Sequence, residues 1–146
     1  MERREVLVAG VATMMGAIRP AAAATQAAQT STSRPLGAFP LAPELAGWQG
    51  TILEVTYPPG LEGASHQHPG PTFGYVVRGK IRWAINGEPA RVLEAGQSFF
   101  EPMGSVHSTS ANASETEPAV ISVVILGKPG EALSKPAAKP GDDAAR

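Results

Sequence analysis

The sequence predicts an all-β protein, a single antiparallel sandwich or barrel, and three observations carry that reading. Its apolar runs are short and bounded by Gly or Pro. No stretch of useful length shows the 3.6-residue apolar period of an amphipathic helix. The 16 glycines and 14 prolines among 146 residues favour frequent turns over long helices.

Residues 51–57, TILEVTY, alternate apolar and polar side chains as a half-buried strand does, and stop at Pro58-Pro59-Gly60. FGYVVRG and KIRWAIN are β-rich runs meeting at Gly79-Lys80, where a tight hairpin is expected. Asn86-Gly87 is the strongest hairpin signal, because a type I′ turn needs two residues that tolerate positive φ. ARVLEAG, QSFFEP and VHSTSA follow, bounded by Gly or Pro. Residues 119–126, AVISVVIL, form an apolar run rich in β-branched side chains, the pattern of a strand buried on both faces.

The ends read differently. Residues 1–24 have the order of a secretory signal: Arg3-Arg4, an apolar run over 6–18, and small residues at 21–24. That run is too short for a bilayer of about 30 Å, which needs about 20 residues. RREVL resembles a twin-arginine address in part, with Glu2 where Ser or Thr is usual. A short membrane-anchoring helix is the competing reading. The expected location is periplasmic or secreted, with no membrane contact after signal cleavage. Residues 25–35 read as a flexible linker, 36–126 as the folded domain, and 127–146, with three Lys-Pro pairs, as a disordered tail.

Composition excludes several functions. The formal net charge of −1 gives no basic field for nucleic acid. The absence of cysteine removes disulfides, thiolate ligands and thiol nucleophiles together. A small-molecule substrate is the expected partner.

The chain has three histidines, His66, His68 and His107. Residues i and i+2 of an extended segment share a face, so His66 and His68 aim two imidazoles at one point while Gln67 faces away. A third ligand must come from another strand, and His107 is the remaining histidine. The competing reading is three unrelated surface or structural histidines.

The spacing resembles two motifs of the cupin superfamily. Gly60, His66, His68 and Gly79 fall in register with the first, in which Thr72 takes the position of the usual glutamate. Gly96, Pro102, Gly104 and His107 fall in register with the second, whose usual Asn is displaced by one to Asn112. The resemblance implies a cupin jelly-roll β-sandwich of one domain, a metal held inside its mouth by the three histidines, and a homodimer formed by strand exchange or sheet packing.

With Thr72 in place of a carboxylate, three neutral imidazoles leave a divalent ion its full charge and an open face. That arrangement suits a chelating monoanionic substrate. The alternative is a glutamate from elsewhere, either Glu101 on the strand leading to His107 or Glu62, which reads better as a solvated loop charge. Tyr75, Trp83, Phe99 and Glu101 are further pocket candidates beside Thr72. Trp83 shares a face with Ile81 and Ile85, which favours packing.

The expected function is that of a metal-dependent, dioxygenase-like enzyme acting on a small chelating molecule. A Mn-dependent lyase or isomerase and a non-catalytic binding module are the alternatives. The expected cofactor is one divalent transition metal. Fe or Mn is favoured if a folded export route loads it in the cytoplasm, with Ni, Cu and Zn compatible with imidazole ligands.

Overall fold

The computed structural model describes residues 30–138. The expected signal segment, 1–24, lies outside the described residues, as do the first part of the expected linker and the end of the expected tail.

Eleven strands and one 3-10 turn make up this region. β1 (Thr32–Pro40) is followed by the turn at Pro43–Leu45, β2 (Gln49–Tyr57), β3 (Glu62–Gly63) and β4 (His66–Gln67). Then come β5 (Thr72–Arg78), β6 (Lys80–Ile85), β7 (Arg91–Glu94) and β8 (Ser98–Glu101). β9 (His107–Asn112), β10 (Ala119–Gly127) and β11 (Lys135–Pro136) complete the order. All pairs are antiparallel and fall into two sheets, β1-β2-β10-β5-β8 and β11-β4-β9-β6-β7, with β3 also on β9. This is the all-β jelly-roll sandwich that the sequence predicts.

Alternation builds the core. Leu53 and Tyr57 of β2, Val76 of β5, Trp83 of β6, Phe99 of β8 and Ile121, Val123 and Ile125 of β10 all point between the sheets. Their partners in sequence face outward. Phe73 and Phe100, for example, are half-exposed and pack ring to ring at 4.9 Å on the outer surface. β10 is central in its sheet, but it is not buried equally on both sides as expected. Its inner face is fully buried, whereas Ser122, Val124 and Leu126 on the outer face are half-buried.

Gly79 does not close a hairpin. β5 and β6 belong to different sheets, and Gly79, at φ 75°, turns the corner between them. A Cβ there would lie 2.8 Å from the Pro118 carbonyl oxygen, so the turn is pressed against the start of β10. At Asn86-Gly87 both residues do have positive φ, and Glu88 N–H closes the turn onto Ile85 O at 2.9 Å. The β6–β7 ladder nevertheless begins only at Trp83↔Arg91, because Pro89 lacks the N–H that a tighter ladder would need.

The ends of the described region are structured. β1 runs through residues 32–35, where a linker was expected, and forms a continuous ladder on β2 with one bulge after Pro35. β11 falls within the expected tail, and Leu133 packs against the core from the same segment. Pairing with an existing strand edge satisfies the backbone there, a stabilisation that composition does not reveal.

Asn112 ties the two sheets at the far end of β9. It is 1% exposed, and its Nδ2 donates toward the carbonyls of Tyr57, Pro58 and Glu117 at 3.1, 3.0 and 2.8 Å. Its Oδ1 accepts the Ser114 N–H.

Candidate metal centre

β4 and β9 are hydrogen-bonded neighbours, and His66 sits directly opposite His107 in that ladder. His68 follows one pleat later and points the same way, while Gln67 turns outward and donates to the Gly104 carbonyl. The three imidazoles therefore converge, each offering a nitrogen within 4.8 Å of the others. Ring centroids of His66 lie 4.9 Å from His68 and 4.8 Å from His107.

Two of the rings are held by their Nδ1 atoms. His66 Nδ1 is 2.9 Å from the Ala64 carbonyl, and His68 Nδ1 is 2.7 Å from the Leu133 carbonyl. A carbonyl only accepts, so each Nδ1 carries a proton, and in the neutral ring it is Nε2 that presents a lone pair. The ordinary second-layer arrangement of a metal-binding imidazole is of this kind. His107 is 3% exposed, and neither of its buried ring nitrogens has a hydrogen-bond partner. Leaving such atoms unpaired costs about 1–3 kcal/mol each, unless something absent from the protein chain binds there. Burial, and then the neighbouring His66 and His68, push its pKa down to about 3. Burial also lowers that of His68. His68 and His107, whose burial disfavours the protonated form, make with His66 a fitting donor set for a divalent cation.

The site is not free of carboxylate. Glu101, the last residue of β8, is 3% exposed and points inward beside the histidines. Its Oε1 accepts a hydrogen bond from Trp83 Nε1–H at 3.2 Å. The same oxygen lies 3.1 Å from His107 Nδ1, a contact that lacks hydrogen-bond alignment. Oε2 is 3.6 Å from His68 Nε2. Glu101, one of the two carboxylates weighed in the sequence, thus lies beside the histidines, while the grouped ligand set among the described residues is the three imidazoles. Burial pushes the Glu101 carboxyl up to about 7, and the Trp83 hydrogen bond opposes that shift.

The remaining candidates separate clearly. Phe99 and Glu101 line the cavity. Trp83 lies behind Glu101 and holds it, with its ring 5.5 Å from Phe99. Thr72 is fully buried and does not line the cavity, and its Oγ1 donates to the Gly70 carbonyl at 3.4 Å. Tyr75 faces away from the site, because its position on β5 alternates with the inward Gly74 and Val76, and it is 49% exposed. Glu62 is a solvated partner of Arg82 on the far side of β9, as its loop reading implied. Gly74 carries no side chain because Phe99, directly opposite, lays its ring where a Cβ would stand.

The histidines open into a cavity of about 500 Å³ between the sheets. Its depth is apolar, with Leu53, Val55, Ile121, Val123 and Ile125 on its walls. Tyr57 and Ser110 add hydroxyls 2.8 Å apart, and burial raises the Tyr57 pKa. No Lys or Arg is among the described residues of the lining. Tyr57, Ser110 and the Leu133 segment were missed in the sequence. Tyr57 was legible as the inward end of an alternating strand, whereas a backbone carbonyl such as that of Leu133 leaves no sequence signal.

The family profile described as "Cupin domain" matches residues 53–125. Dimethylsulfoniopropionate lyase DddQ of Ruegeria pomeroyi is 34% identical over 55 residues, which are 38% of this chain and 27% of that protein. The matched part thus spans about a quarter of the curated relative. The crystal structure of the same lyase superposes with a TM-score of 0.54 at 25% identity, covering 64% of this chain and 45% of that one. A cupin-like protein from Thermotoga maritima gives a TM-score of 0.57 at 20% identity, over 77% of this chain and 80% of the other. Oxalate oxidase in complex with glycolate gives 0.51 at 24% identity, over 67% and 51%. The last two are likenesses of fold alone. With half of its length matched by the family profile and its histidines gathered inside a jelly roll, this chain belongs to the cupin family.

Proposed function

We propose that this cupin is a metal-dependent enzyme, an oxygenase that takes a proton from a small, apolar, chelating organic substrate and then reacts it with dioxygen. One observation carries the reading. Glu101, a carboxyl whose burial raises its proton affinity, sits beside the three histidines at the end of an apolar cavity. When bound, a divalent transition ion would polarise a chelated carbonyl and acidify the adjacent C–H, and Fe would also offer redox chemistry toward dioxygen.

The chain's residues supply the rest. His66, His68 and His107 would hold the ion at the end of the cavity, where the substrate would reach it. Glu101 Oε2 accepts the substrate proton, and the C–H electron pair stays on the substrate as an enolate. Burial raises the proton affinity of that carboxylate, which suits it to the role of a base. Trp83 keeps the carboxylate aimed. The apolar walls exclude water and suit a carbon skeleton, and the absence of Lys and Arg from the described lining disfavours multiply anionic substrates. Fe or Mn remains the proposed metal, on the proposed export of the folded chain.

A second reading is a lyase, favoured by the likeness to dimethylsulfoniopropionate lyase DddQ. The same proton transfer to Glu101 would then be followed by departure of a β-substituent with its bonding pair, without oxygen.

The test is elemental analysis of protein purified from its native host. It is followed by turnover of β-dicarbonyls, hydroxy acids and β-substituted carboxylates in air and under argon. Oxygen-dependent turnover supports the oxygenase, and equal rates under argon support the lyase. Protein that loads no divalent metal, or that turns over none of these substrates in the loaded form, refutes the enzyme reading.

A further inference from the structure

We propose that the C-terminal segment from Glu131 to Ala137 is a working part of the metal centre, a strap that holds two of the three ligands in place. The inference rests on the metal-centre reading above and extends it to residues outside both histidine motifs.

β4, which carries His66 and leads into His68, is only two residues long. On one edge it is joined to β9 at a single register pair, His66↔His107. On its other edge the partner is β11, through Lys135↔Gln67 and Pro136↔His66. The Ala137 N–H extends that ladder to the Ser65 carbonyl at 3.1 Å. Without the strap, the ligand strand would be a sheet edge with one pairing left.

The second contact is chemical. The Leu133 carbonyl accepts the Nδ1–H of His68 at 2.7 Å, which selects the tautomer whose Nε2 lone pair faces the site. His66 obtains the same service locally from Ala64, two residues away, whereas His68 takes it from a residue 65 positions further along the chain. Leu133 also packs against the core and lines the cavity, together with Ser134 and Pro136. One apolar side chain thus anchors the strap, the backbone beside it orients a ligand, and the next residues splint the ligand strand. Outer partners of this kind are worth about 10–100-fold in metal affinity.

The test uses the full chain with Zn(II) alone as probe. Ala137→Pro removes the N–H given to Ser65, and Leu133→Ala/Ala137→Pro also thins the anchor. Zn(II) dissociation constants come from chelator competition, and the His68 Nδ1–H is followed by ¹⁵N-imidazole NMR. The double variant is expected to bind Zn(II) at least tenfold more weakly and to lose the slowly exchanging His68 Nδ1–H signal. Ala137→Pro alone, which keeps the anchor, should move both readouts in the same direction by less. It serves as the test if circular dichroism shows the double variant unfolded. Unchanged Zn(II) affinity in a variant whose His68 signal has vanished overturns the strap. Failure of the unmodified protein to bind Zn(II) overturns instead the metal centre on which the strap depends.

Discussion

Thr72 and Glu101 face one another directly across the β5–β8 ladder, both fully buried on the inner face of the sheet. The first cupin motif usually has its carboxylate where Thr72 stands, and in this chain a buried carboxylate occupies the opposite residue, one strand over. Side chains paired in this way have Cβ atoms about 4.5–5.5 Å apart, which lets either strand deliver a carboxylate to nearly the same place. Swapping the two residues should therefore be tolerated better than doubling them. Thr72→Glu alone sets two buried carboxyls against each other and should cost the metal-free protein about 2–3 kcal/mol. Thr72→Glu/Glu101→Thr should recover most of that loss and keep Zn(II) affinity within about tenfold, the low end of a displaced ligand environment. Urea unfolding and Zn(II) titration of both variants check the idea, and a fully stable single variant would refute it.

The shifted groups also set a pH profile for the metal-free protein, and their signs oppose. Glu101 has a raised folded pKa of about 7 against 4.5 unfolded, so its contribution is complete below 4.5 and is lost as pH rises through 7. His107 is depressed to about 3 from 6.5, so its contribution is complete above 6.5 and is lost as pH falls toward 3. His68 is shifted in the same direction as His107. Between 4.5 and 6.5 the slopes of Glu101 and His107 offset, and stability should fall away on both sides. Glu101→Gln removes the alkaline loss, since a neutral amide has no proton to give up. Its metal-free Tm should exceed that of the unmodified protein at pH 8 and match it at pH 4.5, while its turnover falls by at least about 10²-fold through loss of the base. Calorimetry at the two pH values reads the first effect, and equal Tm differences at both would refute the assignment.

Parts of this site were legible in the sequence, for identifiable reasons. The convergence of His66 and His68 follows from the period of two along a strand, and His107 was the remaining histidine. Glu101 was readable only as an alternative. β8 is four residues long, and its inward parity is set by pairing with Thr72, 29 positions earlier. Gly79 misled in the same way. A glycine at positive φ suits a hairpin and a corner equally, and the choice between them was made by the packing of Pro118 and Ala119. The strap was invisible because its order depends on one apolar anchor and the open edge of β4, and its composition is that of a solvated tail.

Asn112 is expected to be the costliest polar position outside the site. Replacing it with Ala removes the donor shared by the carbonyls of Tyr57, Pro58 and Glu117, of which Pro58 keeps the Leu61 N–H, and should cost about 2 kcal/mol, the penalty of buried acceptors left short of a donor. Asp keeps an acceptor for the Ser114 N–H but turns an oxygen toward three others. Asn112→Asp should therefore be less stable than Asn112→Ala at neutral pH, although it is the closer isostere. Denaturant midpoints decide the order, and the reverse ranking would mean that Asn112 does not act as a donor.

Trp83→Phe isolates the hydrogen bond that aims Glu101. The ring remains apolar and keeps its place against Phe99, but the donor to Oε1 is gone. That hydrogen bond favours the charged carboxylate, so its loss raises the Glu101 pKa further above its ordinary range. In the metal-loaded enzyme the acid limb of kcat/KM reports protonation of this base, and it should move to higher pH in the variant. The limiting rate at high pH should fall less, since the base is still present though less well aimed. A variant that only loosened packing would lower the whole profile without displacing it. Trp83 therefore acts on the chemistry through Glu101 if the limb moves, and is a core residue alone if it stays.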